Sequence, residues 1–129
     1  MDDALTEALA PVLRDLETSG SVTPDVRDEP WSTGGDEVTA MLYSPGGWAQ
    51  GVFAITDEPL PERIASVADQ VQEWAVEELC SIGQPTNWPQ CPHHPDSHPL
   101  SAVERDGRAM WTCPKTGQAV CEIGRLVYP

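Results

Sequence analysis

A short segment in the last third of the chain contains every histidine of the protein and one of its four cysteines. Cys91, His93, His94 and His98 fall within eight residues, and Cys113 follows His98 after an interval of fourteen residues. Thiolate and imidazole groups are the usual ligands of zinc in tetrahedral sites. The intervals of two residues from Cys91 to His94 and three residues from His94 to His98 are near those of known zinc modules. A chain with this pattern is constrained to fold so that these side chains converge.

We predict one structural zinc site, with Zn²⁺ as the cofactor and with the ligands Cys91, His94, His98 and Cys113. Two thiolates and two neutral imidazoles leave the site neutral, which suits a buried position. His93 is adjacent to His94 and is expected to point elsewhere, and it is the alternative to His94 as a ligand. Cys80 and Cys121 are alternatives to His98, although a cysteine at a helix end, such as Cys80, is more often a buried apolar residue.

The segments around Cys91 and Cys113 resemble a zinc ribbon, a hairpin module whose two knuckles each read Cys-Pro-x-Cys-Gly. The first knuckle is Cys91-Pro92-His93-His94, in which His94 stands where the second cysteine usually is. The second is Cys113-Pro114-Lys115-Thr116-Gly117, in which the poor zinc ligand Thr116 takes that position and His98 is the substitute. The resemblance covers roughly the last third of the chain, and it implies a hairpin held by zinc rather than an activity.

The remaining patterns predict an α+β domain in which an N-terminal helix and a long amphipathic helix pack on an antiparallel hairpin sheet. The first helix is predicted over residues 3–18, capped by Asp2, with a kink or break near Ala10 because Pro11 interrupts it. Strands 37–43 and 48–56 flank a turn rich in glycine and proline, and the apolar second strand indicates cover on both faces or a central position. The second helix is predicted over residues 60–81. Trp31, in the connector before the hairpin, is expected to lie over the core as a lid rather than to stack on a ligand.

A second hairpin, which the zinc site would hold, is predicted near the C-terminus. Residues 99–105 and 108–113 form its strands around the turn Asp106-Gly107, which brings Cys113 beside Cys91 at the open end. A last short strand is predicted over residues 117–124. We expect a single domain over residues 1–129, with an acidic part at 1–87 and a zinc-binding hairpin at 88–129.

The formal charge of −14 is concentrated in the first ninety residues. That part has seventeen acidic and three basic residues, whereas residues 91–129 have four of each. The balance argues against direct nucleic-acid binding, which needs a basic surface to neutralise phosphates. A protein partner with a basic surface, or mimicry of nucleic acid by the acidic part, is compatible with it.

The sequence indicates a cytoplasmic protein. No run of eighteen apolar residues predicts a membrane span, and the acidic start of the chain is unlike a secretory signal. One lysine against six arginines is typical of a GC-rich bacterial genome, such as that of an actinobacterium.

No catalytic motif accompanies the predicted zinc site. The zinc-protease pattern His-Glu-x-x-His and the deaminase pattern are missing from the sequence. We therefore predict that the protein is not an enzyme but an adaptor or accessory subunit that binds another protein. The alternatives are a zinc-dependent hydrolase with an open coordination position and an acidic mimic of nucleic acid that inhibits a DNA-binding protein.

Overall fold

The computed structural model describes residues 1–19, 22–31 and 35–127, and it shows two helices and two three-stranded antiparallel sheets. The helices are α1 (Asp3–Thr18) and α2 (Leu60–Ser81). The strands are β1 (Asp25–Arg27), β2 (Glu37–Tyr43), β3 (Ala49–Ile55), β4 (Ser101–Arg105), β5 (Arg108–Thr112) and β6 (Ala119–Glu122). The predicted α+β class is confirmed. The division into a single domain with two sub-modules stays a prediction.

Helix α1 begins and ends where the sequence predicts, but the break expected near Ala10 is wrong. The Asp2 carboxylate accepts a hydrogen bond of 2.8 Å from the Ala4 amide and caps the first turn. The helix continues through Pro11, which costs one hydrogen bond to the carbonyl of Glu7. Glu7 is exposed, so water can solvate that carbonyl, while the apolar stripe on the opposite side of α1 is buried and keeps the helix intact.

The first sheet has the strand order β1-β2-β3, so β3 is an edge strand and the suggestion of a central position is wrong. The other alternative, cover on both faces, is confirmed, since α2 packs against β3 and Trp31 lies against Gly51 and Phe53 on its outer face. The free edge of β3 is covered by Gln70 of α2, whose carboxamide accepts from the Phe53 amide and donates to the Phe53 carbonyl, both at 2.9 Å. A side chain thus replaces a neighbouring strand and protects the edge from pairing with another chain.

Trp31 lies across the outer face of this sheet, beside Gly51 and Phe53, so it covers the sheet but not the core over which it was expected to lie. Its indole N–H donates to the carbonyls of Ala40 at 2.9 Å and Val52 at 3.2 Å. A Cβ at Gly51 would lie 2.6 Å from the indole, so the absence of a side chain there makes room for Trp31. Nearly half of the Trp31 surface, 46%, is still exposed.

Helix α2 lies at the centre of the molecule. It packs against α1, against β3 of the first sheet, and against β4 and β5 of the second sheet. Its buried side is apolar apart from Glu78, whose carboxylate accepts hydrogen bonds from Ser44 and from Ser81. Burial of this long apolar stripe is the main stabilisation of a helix that has no side-chain cap at its first residue.

The second sheet has the order β4-β5-β6, which confirms the predicted C-terminal hairpin and the short strand after it. The turn between β4 and β5 consists of Asp106 and Gly107, with φ values of 53° and 79°. Positive φ at both positions is the geometry of a type I′ turn, which an Asp-Gly pair favours.

A buried carboxylate on α1 fixes the segment that follows β6. Asp15 is fully buried, and its two oxygens accept hydrogen bonds from the Trp111 indole at 2.8 Å, the Gly124 amide at 2.7 Å and the Leu126 amide at 2.9 Å. Three donors compensate for the desolvation of the carboxylate and connect α1 to the second sheet.

Within the described residues, neither helix has the length and apolar character that crossing a membrane requires.

Candidate metal centre

The structure brings together the side chains of Cys91, His94, His98 and Cys113, the four predicted zinc ligands. One ligand atom from each residue lies within 4.8 Å of the corresponding atoms of the other three. Both cysteines are fully buried, whereas the two histidines are partly exposed. The group therefore has its sulfur atoms on the core side and its imidazoles towards the surface, and it could hold a metal ion.

The segment from Gln90 to Pro99 forms a closed loop that positions the first three of these side chains. A β-bridge pairs Gln90 with Pro99, and the Leu100 amide donates to the Pro89 carbonyl at 2.8 Å. Inside the loop, two successive turns are closed by hydrogen bonds from the His94 amide to the Cys91 carbonyl and from the Ser97 amide to the His94 carbonyl. This folding makes Cys91, His94 and His98 neighbours, as their short sequence intervals predicted.

Helix α2 holds the base of this loop in place. The Gln72 side-chain amide donates to the carbonyls of Leu100 at 2.6 Å and Trp88 at 3.2 Å, one on each side of the loop. The Trp88 indole packs edge-on against Trp111 of β5, with 5.7 Å between the ring centroids. The loop is thus tied both to the long helix and to the strand that leads to Cys113.

The second knuckle presents Cys113 at the end of β5. The Gly117 amide donates to the Cys113 carbonyl at 2.8 Å, and Gly117 has a φ of 76°, which favours glycine at the end of such a turn. Hydrogen bonds from the Thr116 hydroxyl, and then from the backbone amides of Thr116 and Lys115, lower the pKa of the Cys113 thiol to about 6, although burial opposes this shift. Thr116, which stands where a zinc-ribbon knuckle has its second cysteine, thus lowers the pKa of the Cys113 thiol through its hydroxyl.

The distances between sulfur and nitrogen atoms are compatible with a zinc ion. Nδ1 of His94 lies 3.6 Å from Sγ of Cys91 and 3.5 Å from Sγ of Cys113. Nε2 of His98 lies 3.9 Å from Sγ of Cys113. In a tetrahedral site, bonds of about 2.3 Å to sulfur and about 2.0 Å to nitrogen separate these atoms by about 3.5 Å. Two of the three distances match this value and the third is slightly longer.

The two histidines present different ring nitrogens to the centre. Nδ1 of His98 lies 3.1 Å from the Pro99 carbonyl oxygen, which can only accept a hydrogen bond. The proton of a neutral His98 is therefore on Nδ1, and Nε2 keeps a free electron pair on the side of Cys113. Such a hydrogen bond from the second ring nitrogen commonly orients a metal-binding histidine.

The three alternative ligands lie outside this group. His93 is exposed, and its ring centroid is 6.4 Å from that of His94, in agreement with the expectation that it points elsewhere. Cys80 is exposed at the end of α2, so the expectation that it is buried is wrong. The last turn of α2 directs Cys80 away from the apolar stripe. Cys121 is half-buried in β6, where burial, and secondarily the charge of Asp15, raise the pKa of its thiol to about 11.

Comparison with known proteins gives no match to a protein-family model, to a curated protein or to a solved structure.

Proposed function

We propose that the protein is a small binding module whose C-terminal hairpin is held by a structural zinc ion and whose surface binds another protein. The observation that supports this most strongly is the convergence of two buried thiols and two imidazoles. Four protein ligands fill the tetrahedral coordination of zinc, and closed sites of this kind stabilise folds. Zinc would be held by Cys91, His94, His98 and Cys113.

The same ligand set favours a binding role over the hydrolase alternative. A hydrolytic zinc ion needs a coordination position for water, in addition to three protein ligands. A fourth protein ligand, supplied here by the second cysteine, takes that position. We therefore propose that the protein is not an enzyme.

A cytoplasmic location fits this proposal. All four cysteines are unpaired, and thiolate ligands persist where the compartment keeps thiols reduced.

The exposed side of α2 is the surface that we propose for the partner, which would have a basic surface. Its acidic side chains are exposed and follow one another at intervals of four or seven residues, at Glu62, Asp69, Glu73 and Glu77. The one basic residue of the helix, Arg63, donates instead to the carbonyls of Glu58 at 2.8 Å and Ala4 at 2.9 Å. This row of carboxylates is thus not neutralised from within α2, and it would attract a basic partner at long range.

X-ray absorption at the zinc edge tests the metal part of the proposal. The expected first shell has two sulfur and two nitrogen neighbours, at about 2.3 Å and about 2.0 Å. A shell with a single sulfur neighbour, or with the multiple scattering of only one imidazole ring, and with a water oxygen in place of the lost ligand would favour the hydrolase alternative instead.

Charge reversal on α2 tests the surface for the partner. The double variant Glu73→Lys/Glu77→Lys should lose a partner that the unmodified protein retains in affinity capture. The matched control Glu7→Lys/Glu17→Lys makes the same change of charge at two exposed positions of α1 and should retain it. Equal loss in both variants would mean that net charge, rather than this face of α2, governs the binding.

A further inference from the structure

A pocket of about 260 Å³ lies between α1, the first turn of α2, the β4–β5 turn and the end of β6. None of the four candidate metal ligands lines it. Three arginines, Arg14, Arg108 and Arg125, contribute to its wall. The chain has only six arginines and a formal charge of −14, so half of its arginines meet at one place in an acidic protein.

Backbone contacts bring these arginines together from three separate segments. The Ile123 amide donates to the Ala109 carbonyl at 2.9 Å, which places the start of β5, with Arg108, beside the turn that contains Arg125. From α1, a guanidinium nitrogen of Arg14 lies 3.4 Å from the Gly124 carbonyl in the same turn.

Gly124 makes the close approach of α1 possible. Its φ is 103°, a conformation that side chains rarely adopt. A Cβ at this position would lie 3.0 Å from Cβ of Pro11 and 3.5 Å from a guanidinium nitrogen of Arg14. Any larger residue would therefore push α1, and Arg14 with it, away from the pocket.

The positive charge of the pocket is only partly neutralised by the protein. One carboxylate, that of Glu122, also lines the pocket, so the three arginines leave a formal charge of +2. The Arg125–Glu122 pair is separated by 4.0 Å, and 79% of the Arg125 side chain is exposed. In the part of the chain that the structure describes, Arg14 and Arg108 are in no ion pair. Two further exposed carboxylates, those of Asp106 and Glu62, belong to residues next to the lining residues Gly107 and Pro61 in the sequence, but they do not line the pocket.

The first turn of α2 forms one side of the pocket. Leu60 and Pro61, the first residues of this helix, line it. The residue before them, Pro59, provides no side-chain acceptor, so the first backbone amides have no side-chain cap, although Glu62 in the first turn offsets part of the helix dipole.

The rest of the lining is apolar. It comes from Leu60, Ile64, Ala109 and Ile123, together with the rings of Pro11 and Pro61. A fully hydrated inorganic ion would gain nothing from this surface, whereas a ligand with an apolar body would bury it.

We propose that this pocket binds a phosphate monoester with a compact apolar body. The doubly charged phosphoryl group matches the formal charge of +2, and guanidinium groups donate paired hydrogen bonds to phosphate oxygens. The apolar body of the ligand rests against the side chains of α2 and β5. This proposal is independent of the metal centre and of the proposed binding function.

Calorimetric titration of the full chain with phenyl phosphate tests the proposal, at constant ionic strength and with inorganic phosphate and phenol as comparison ligands. Phenyl phosphate is expected to bind most tightly because it alone satisfies both parts of the pocket. Arg108→Gln and Arg125→Gln should each weaken its binding by about fivefold or more, since each removes a charged hydrogen-bond donor. Glu122→Gln should strengthen it, since a competing carboxylate is removed.

Arg27→Gln is the matched control, because it removes one arginine from an exposed position on β1 that does not line this pocket. It should leave the affinity within about twofold of the unmodified value. Lack of binding by phenyl phosphate would overturn the proposal, as would an equal loss of affinity in Arg27→Gln and Arg108→Gln. Equal affinities for phenyl phosphate and inorganic phosphate would overturn the apolar part of it. The replaced arginines are exposed, and a circular dichroism spectrum verifies that each variant folds.

Discussion

At the scale of single residues, the candidate metal centre depends on its four ligands and on polar groups around them. Cys91, His94 and His98 are close in sequence, and the Asp-Gly turn gives the register that returns Cys113 to them. The Thr116 hydroxyl lowers the pKa of the Cys113 thiol through a hydrogen bond, and no sequence pattern distinguishes such a threonine from one without this contact. The burial of Asp15, in contrast, is indicated by the sequence, since this residue interrupts the apolar stripe of α1 at a position that faces the core.

The first prediction concerns Asp15. Replacement by alanine removes the acceptor of three buried hydrogen bonds. The Trp111 indole N–H and the amides of Gly124 and Leu126 are then left without a hydrogen-bond acceptor. We expect Asp15→Ala to lower the free energy of unfolding by about 3 kcal/mol or more, measured by urea denaturation. Glu17→Ala, at an exposed position on the same helix, should change it by less than about 0.5 kcal/mol. Similar values for the two variants would contradict a structural role for the buried carboxylate.

The second prediction concerns the two cysteines outside the metal centre. Burial raises the pKa of the Cys121 thiol to about 11, so at pH 8 this group is almost entirely protonated. The thiolate is the reactive form, so iodoacetamide should modify the exposed Cys80 well before Cys121. The rate at Cys121 should rise only as the pH approaches 11. Mass spectrometry of peptides from the zinc-loaded protein follows both sites, and faster modification of Cys121 at pH 8 would contradict the assignment.

At the scale of the elements, hydrophobic periodicity predicted both helices and both hairpins, but not how they are covered. The break at Pro11 was expected from local chemistry alone, and tertiary packing of the buried stripe of α1 overrides it. The apolar sequence of β3 indicated either cover on both faces or a central position. β3 is an edge strand that is covered on both faces, with Gln70 along its edge, α2 on one face and Trp31 on the other. A glutamine that pairs with a strand leaves no periodic pattern in the sequence.

The third prediction tests how Trp31 covers the first sheet. In Gly51→Ala the new methyl group would meet the Trp31 indole at 2.6 Å and displace it, and we expect a loss of about 1–2 kcal/mol in the free energy of unfolding. The same change in a Trp31→Ala background should cost much less because nothing remains to be displaced. Urea denaturation of the four proteins in this double-mutant cycle gives the coupling between the two positions. Additive effects would mean that the two residues do not interact.

At the scale of the whole molecule, α2 connects the acidic and the neutral parts of the chain. It packs against both sheets, and through Gln72 it holds the loop that contains three of the four candidate ligands. Loss of a bound metal ion should therefore loosen the loop and the ends of the second hairpin first. The hydrogen bonds of Gln72 do not connect the first sheet to this loop, so the first sheet should retain its structure longer.

The metal content of the purified, tag-free protein, measured together with thermal unfolding before and after addition of a strong chelator, tests the central claim most directly. We predict one zinc ion per chain and a fall of the melting temperature by 10 °C or more on chelation, an approximate figure that follows from the large contribution of structural zinc to folding. Cys91→Ser/Cys113→Ser should contain no zinc and should melt like the chelated protein. Cys80→Ser, which replaces an exposed cysteine outside the centre, should keep both the zinc and the melting temperature. A protein that contains no metal, and whose melting the chelator leaves unchanged, would contradict the account.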